Sequence, residues 1–313
     1  MDRLDELAVF IAILDAGSLT GAGRKLRRSP PSVTRSLAAL EERVGARLVE
    51  RSTRRLAPTE AGRQLAEHAR RLLSGYDSAI GEISGAPLRG VLRVTAPLVF
   101  GRRHVAPVIG NFLDAYPSMR AELILSDRNL DLIEHEIDVA VRIGPLSDSS
   151  LVARRVGAVG RLLVASPAYI ERRGLPRRPA DLAEHDVIFA SDRADQQAWR
   201  FRSAGREQVV RLVPRLAVNE IDAMLLAVRA GRGIGRPLSY QVVDDLAAGH
   251  LVRLIPKFEP EPLPVHIVMP STQRMPPKAR AFVDLAAPAL GALDVLRGVP
   301  EALLPADGDG ERY

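Results

Sequence analysis

Ser29, Pro31, Ser32, Thr34, Arg35 and Ser36 crowd beside an apolar stripe, Val33, Leu37, Leu40 and Val44, that repeats at spacings of 4, 3 and 4. The stripe predicts a helix with one buried face. The small, polar and basic residues away from it are of the types that reach base edges and phosphates. Thr20 and Arg24 fall in a shorter helix just before, and Arg51, Thr53, Arg54 and Arg55 in a basic hairpin just after. Short helix, tight turn, second helix and hairpin is the order in which a winged helix-turn-helix enters the major groove of DNA. Arginines on the wing suit a narrow minor groove.

The elements that must hold these side chains are written into the same stretch. Ser18 follows Gly17 and can cap a helix that carries Leu19, Ala22 and Leu26 on one side. Gly21 and Gly23 each cost that helix about 1 kcal/mol relative to alanine, which is tolerable where another segment packs very close. Ser29 suits an N-cap and Pro30 the first helical position, where a missing N–H loses nothing. Gly45 fits a left-handed cap at the far end. Before them, Leu4, Leu7, Ile11 and Leu14 read as the inner face of a first helix.

Charge is local. Residues 24–63 hold 11 Lys/Arg against 4 Asp/Glu, a surplus of seven, while the whole chain carries +6. The remainder is close to neutral, so the excess is a patch, the electrostatic footprint of a nucleic-acid-binding module.

Several of these pieces, in fixed order, resemble the N-terminal domain of LysR-type transcriptional regulators. They are Gly17-Ser18-Leu19, Pro31-Ser32-Val33-Thr34-Arg35, Leu40-Glu41-Glu42, Val44-Gly45-Ala46-Arg47-Leu48, Arg51 and Thr59-Glu60-Ala61-Gly62. Similarity runs on almost to residue 290. The sequence departs from the family pattern at Pro30, where many members carry a base-contacting glutamine, and at Gly21 and Gly23, where alanine is usual. The resemblance implies several domains: an all-α winged helix-turn-helix over 1–62, a long linker and dimerisation helix over 63–87, and a two-lobed α/β effector domain of the periplasmic-binding-protein type over 88–296. Lobe I is expected at about 88–165 and 266–296, and lobe II at about 166–265. Residues 297–313 lack periodicity and are expected to be a disordered tail. The implied partners are double-stranded DNA, a second copy of the chain with further assembly to a tetramer, a small organic effector and RNA polymerase.

The residues support much of this independently. Thr59 can cap a helix along which Leu65, Ala69, Leu72, Tyr76, Ala79 and Ile83 recur at 4, 3, 4, 3 and 4, a heptad seam predicting a dimerisation helix. Gly85-Ala86-Pro87 ends it. From Val91 strands alternate with helices, which predicts a mostly parallel sheet covered on both faces. Strands are read at Leu92–Ala96, Ala121–Leu125 and Asp138–Ile143, helices at Pro107–Tyr116, Leu130–His135 and Ile221–Ala230, and a returning strand at His266–Met269. Leaving a lobe and coming back makes two crossovers and a cleft.

Ligands of such folds sit at the C-terminal ends of strands. Thr95, Ala96 and Pro97, Ser126 and Asp127, Ile143 and Gly144, and Asn219 and Glu220 occupy such ends and are the candidate effector contacts. Arg236 joins them because Arg236-Pro237 stands where many family members are apolar. Each of these residues could equally serve as a local cap or turn.

An enzyme is disfavoured. The six histidines show no His-Glu-x-x-His spacing, no cysteine occurs, and no Gly-x-Ser-x-Gly elbow is present. No cofactor or metal is expected. A solute-binding transport component would account for the C-terminal half alone but not for the basic front. Acidic residues within the first six, and Asp15 after the apolar run, argue against a signal peptide, and no run reaches the ~18–20 residues of a membrane span. The lack of cysteine is compatible with a reducing cytosol.

Overall fold

The computed structural model describes residues 2–51, 56–84, 87–146, 151–190, 198–203, 205–270 and 275–297. It divides into two compact units, one ending at Arg89 and one beginning at Gly90.

Unit 1 opens with helices α1 (Arg3–Ala16), α2 (Leu19–Leu26) and α3 (Pro30–Val44). A two-stranded antiparallel wing follows, β1 (Val49–Arg51) and β2 (Leu56–Pro58), and then the long helix α4 (Glu60–Ser84). The expected caps largely appear. Gly21 N–H donates to Ser18 Oγ at 3.0 Å, and Gly17 and Gly45 close α1 and α3 in the left-handed region. Ser29 sits at the N-cap of α3 with Pro30 behind it, but its hydroxyl makes no cap bond. A Cβ on Gly23 would come within 2.8 Å of the Arg28 carbonyl, so the close approach that tolerates a glycine is the α2–α3 turn itself.

The core of unit 1 is Val9, Phe10, Ile13, Ala22, Val33, Leu37, Leu40, Leu48 and their neighbours. Three sequence readings are corrected here. The buried side of α1 is centred on Phe10 and Ile13, with Leu7, Ile11 and Leu14 at its edge, because the helix is apolar nearly all round. Val44, the last residue of α3, is 43% exposed. The α4 seam is divided: Ala69 is buried and Leu65 packs on the core of its own unit, whereas Leu72 and Tyr76 are more than half exposed. Ala79 and Ile83 are described in backbone only. An intrachain core stripe and an interchain seam have the same spacing, so periodicity alone merges them.

Unit 2 begins with β3 (Gly90–Ala96), α5 (Leu98–Phe100), a π-helical turn (Gly101–Val105) and α6 (Ala106–Ala115). Then come β4 (Met119–Leu125), β5 (Val139–Ile143), β6 (Leu151–Val159), β7 (Val164–Ala165), α7 (Pro167–Arg173) and β8 (Ile188–Ala190). The chain continues through the hairpin β9 (Ala198–Ser203) and β10 (Arg206–Arg211), then β11 (Leu216–Val218), α8 (Ile221–Arg229), α9 (Ser239–Ala247), β12 (Val252–Arg253), β13 (Leu263–Pro270) and α10 (Pro277–Gly291).

Lobe I is a five-stranded sheet ordered β4-β3-β5-β13-β6. β3 runs parallel to β4 and β5, but β13 runs antiparallel to both β5 and β6. The sheet is therefore mixed rather than mostly parallel: the returning strand enters from the opposite lobe, which reverses its direction. α6 and α10 cover one face, where Phe112 and Phe282 meet edge to face with centroids 5.6 Å apart. The expected helix at Leu130–His135 is instead a turn. Asp131 Oδ1 accepts from Ile133 N–H (2.8 Å) and Glu134 N–H (3.0 Å), and Glu136 takes a positive φ, so the backbone satisfies itself locally. Leu132 and Ile137 still bury against Ala140 and Val268 on the second face.

In lobe II, β8 and β11 pair in parallel and β7 with β12 antiparallel. Residues 234–238 link them through bridges Val187–Ile234, Val164–Gly235 and Arg161–Leu238. The segment that leaves lobe I after β6 thus runs beside residues 235–238 of lobe II. The expected tail beyond Arg297 lies outside the described residues.

Candidate DNA-reading face and inter-lobe rim

Partly buried charge pairs hold both ends of α3 against α1. Arg28, just after the left-handed Arg27 in the turn between α2 and α3, grips Asp5 with both terminal guanidinium nitrogens at 2.7 Å. That bond holds the Asp5 carboxyl below its ordinary value. Arg43 reaches the buried Glu6 at 2.9 Å. Glu41 Oε1 accepts from Leu48 N–H at 2.8 Å and Val49 N–H at 3.3 Å, tying the start of the wing to α3. Thr59 donates to the Arg47 carbonyl at 2.7 Å and accepts from Gly62 N–H at 2.9 Å, tying the end of the wing to α4. One rigid block thus presents α3 and the wing together.

On that block Thr20, Arg24, Ser29, Pro31 and Arg35 are exposed, and Ser32 and Thr34 half-exposed. Thr34 donates its hydroxyl to the Pro30 carbonyl at 3.0 Å, which leaves the oxygen lone pairs free to accept. Ser36 is corrected: it is fully buried and donates to the Ser32 carbonyl at 3.1 Å. It lies next to Leu37 on the inner side and cannot touch a groove. Arg51 is placed on β1, while Thr53, Arg54 and Arg55 lie outside the described residues.

In unit 2 the first set of candidate effector residues forms one rim. Strand adjacency in β4-β3-β5 brings Thr95–Pro97, Ser126–Asp127 and Ile143–Gly144 to the same C-terminal edge of lobe I. Much of their polarity is spent locally. Thr95 is buried and donates to the Ile124 carbonyl at 2.8 Å, Asp127 accepts from Leu98 N–H at 3.0 Å, and Ser126 Oγ accepts from Arg128 N–H. Gly144 has φ +114° and donates to the Pro264 carbonyl, a backbone conformation that favours glycine. Glu220 caps α8, accepting from Asp222 and Ala223 N–H at 2.9 and 2.8 Å, with Asn219 just before it.

Sequence reading missed the residues that join the two lobes. Arg102 reaches Asp222 at 2.8 Å, and Arg103 reaches Asp244 at 3.1 Å. Between them Phe100, His104 and the buried Tyr240 form an aromatic cluster, with Phe100 and Tyr240 edge to face at 5.3 Å. Burial, helped by Arg103, pushes the His104 imidazole down, and burial pushes the Tyr240 phenol up. The Arg102-Arg103-His104 run after Pro97 was the available signal. A hollow of about 520 Å³ lined by Ser166, Pro167, Glu171, Arg229 and His250 belongs to the opposite end of lobe II, at the C-terminus of α8. Among the described residues no group of His, Cys, Asp and Glu is arranged to hold a metal, and no helix is long and apolar enough to cross a membrane.

A winged helix-turn-helix followed by a long helix and a two-lobed α/β domain is the architecture of a ligand-responsive DNA-binding regulator. Two family models agree with it: "Bacterial regulatory helix-turn-helix protein, lysR family" over residues 4–63 and "LysR substrate binding domain" over residues 85–291. The chain belongs to the LysR family of transcriptional regulators, a class of DNA-binding proteins and not of enzymes. It is 30% identical over 289 residues to the transcriptional activator AaeR of Escherichia coli K12, covering 91% of this chain and 93% of that protein. It is 31% identical over 288 residues to a transcriptional repressor of Pseudomonas aeruginosa UCBPP-PA14, covering 91% of each. Among solved structures it resembles CrgA of Neisseria meningitidis, a LysR-type transcriptional regulator, with a TM-score of 0.59 and 28% identity over 93% of this chain and all of that one.

Proposed function

We propose that α3 reads a specific operator through Pro31, Ser32, Thr34 and Arg35, with Thr20, Arg24, Ser29 and the wing arginines positioning it on the backbone. Arg35 carries the reading. It is exposed at the front of α3 and makes no ion pair with any described residue, so its planar fork is available for the edge of a guanine. The exposed apolar pair Leu72 and Tyr76 on α4 supports pairing of two copies, which would set two reading heads against two half-sites, and the family resemblance extends this to a tetramer.

A small organic effector binds between the rims of lobes I and II. Its differential affinity for two lobe arrangements, on the order of 1–3 kcal/mol, shifts how the paired heads meet DNA and RNA polymerase. The Arg102–Asp222 and Arg103–Asp244 pairs are the contacts such a shift would load first. The protein acts in the cytoplasm, where its DNA is.

Footprinting on the DNA upstream of its own gene, followed by binding isotherms with Arg35→Ala, tests the reading. Protection should span two half-sites one helical turn or a multiple apart, and the variant should lose about 1–3 kcal/mol and relax sequence preference. A variant with unchanged specificity would remove Arg35 from the groove.

A further inference from the structure

Where the segment leaving lobe I runs antiparallel to residues 235–238 of lobe II, Arg161 bridges to Leu238 and Val164 to Gly235. In that register Arg236 stands opposite Leu163, and Arg161 is its diagonal neighbour on the same face. Such neighbours lie about 7–8 Å apart at Cα, within reach for two long side chains. Both arginines are half-buried. Arg236 lies over two aromatic rings, 4.8 Å from the Phe201 centroid and 5.9 Å from that of Trp199, and donates to the Arg200 carbonyl. Trp199 is in turn stacked on Phe189 at 4.8 Å.

Two guanidinium groups are thus gathered on one desolvated face at the junction of the lobes. Among the described residues no carboxylate forms an ion pair with either. The carboxylate that acts favourably on Arg236, Glu259, is already held by Arg253 through two bonds of 2.7 and 2.6 Å. Burial and the Arg161 charge push Arg236 down to about 9, so it still carries its proton at neutral pH. Burial lowers Arg161 as well. Half-buried like charges without a counter-charge are costly, and the aromatic floor holds Arg236 in place despite that cost.

We propose that Arg161 and Arg236 form the anion-receiving end of the inter-lobe effector site, and that the effector is a small oxyanion, a carboxylate or a phosphate, gripped by both forks. Planar guanidinium forks match the paired oxygens of such groups. The inference rests on the effector reading above and adds the chemical class of the ligand.

Trp199 is the chain's single tryptophan, so its fluorescence reports on this face alone. The full chain is titrated with sodium succinate and with inorganic phosphate, against sodium chloride at equal ionic strength and neutral succinamide. A saturable change with either oxyanion, and none with chloride or succinamide, is expected, and which oxyanion acts identifies the carboxylate or phosphate form. In Arg161→Gln the midpoint should weaken about tenfold or more, as loss of a charged hydrogen-bonding partner predicts. Arg161→Lys, which keeps the charge without the fork, should fall between. The thermal midpoint without anion should not drop in Arg161→Gln, because a repulsion has been removed, and its rise with anion should vanish. No saturable response, a response to succinamide as strong, or an unchanged midpoint in Arg161→Gln would overturn the site. Operator binding by the same preparation separates the outcomes: a chain that reads its operator but ignores oxyanions loses only this inference.

Discussion

Gly62 lies in the first turn of α4 against the start of the wing, and a Cβ built there would sit 2.0 Å from the Leu48 carbonyl oxygen and 2.9 Å from its carbon. Ordinary contact begins near 3.4 Å, so Leu48 would have to retreat by more than an ångström. The obstructing atoms are backbone, and no rotamer change relieves them. Leu48 is itself fully buried, and the Glu41 carboxylate holds its N–H, so the retreat would pull a core side chain and a charged hydrogen bond together. Gly62→Ala gains about 1 kcal/mol of helix propensity and loses about 1–3 kcal/mol or more to overpacking. With the displaced hydrogen bond added, the balance is a loss of roughly 2 kcal/mol. For a unit of this size that lowers the midpoint by roughly 10 °C. Calorimetry of the full chain should show the unit 1 transition moving down while the unit 2 transition, marked by Trp199 fluorescence, stays in place. Gly110→Ala on α6, where nothing lies within 4 Å, is the control and should raise unit 2 by up to about 1 kcal/mol. A unit 1 midpoint unchanged or raised by Gly62→Ala would refute the claim that the α4–wing contact is incompressible.

The two serine caps should separate in the same assay. Ser18→Ala, which removes the bond to Gly21 N–H, should cost about 1 kcal/mol in denaturant unfolding, whereas Ser29→Ala should leave stability nearly unchanged and weaken only DNA binding. Acid should act on unit 1 through Asp5, and through Asp15, where burial raises the carboxyl but bonds from Lys25 and Arg70 outweigh it. Both carboxyls are held below their ordinary value, so the stability they contribute is fully present above about pH 4 and is lost as pH falls through the folded values. Asp5→Asn should flatten the acid limb of a unit 1 stability–pH profile, and an unaltered limb would exclude the Asp5–Arg28 pair as its source.

The helix-turn-helix was legible because its signals are local: a capping serine, a proline at the first helical position, glycines at left-handed ends. So were the strands that end at the lobe I rim, since buried strands read as apolar runs. Much of what escaped depends on partners distant in the chain. Ser36 and Thr34 are equally small and polar, but Ser36, three residues after Val33 and four before Leu40, shares the apolar face of α3, which its polar side chain concealed. Strand direction leaves no mark on composition, so β13 could be found but not seen to run backwards. Arg161 looked unremarkable until residues 235–238 placed Arg236 on its diagonal. α9, with polar residues scattered through it and no strong cap, offered no clear period.

The place between β5 and β6 in the lobe I sheet is filled by β13, a strand that the chain reaches only at residue 263. During synthesis β5 and β6 therefore emerge with facing edges unpaired, while the residues that build the lobe II core, 162–258, are already made. Lobe II can condense first, and lobe I must stay open until its last strand arrives from the far side. A nascent chain stopped before residue 263 would consequently carry a finished half and two bare strand edges, the kind of surface that invites chaperones or aggregation.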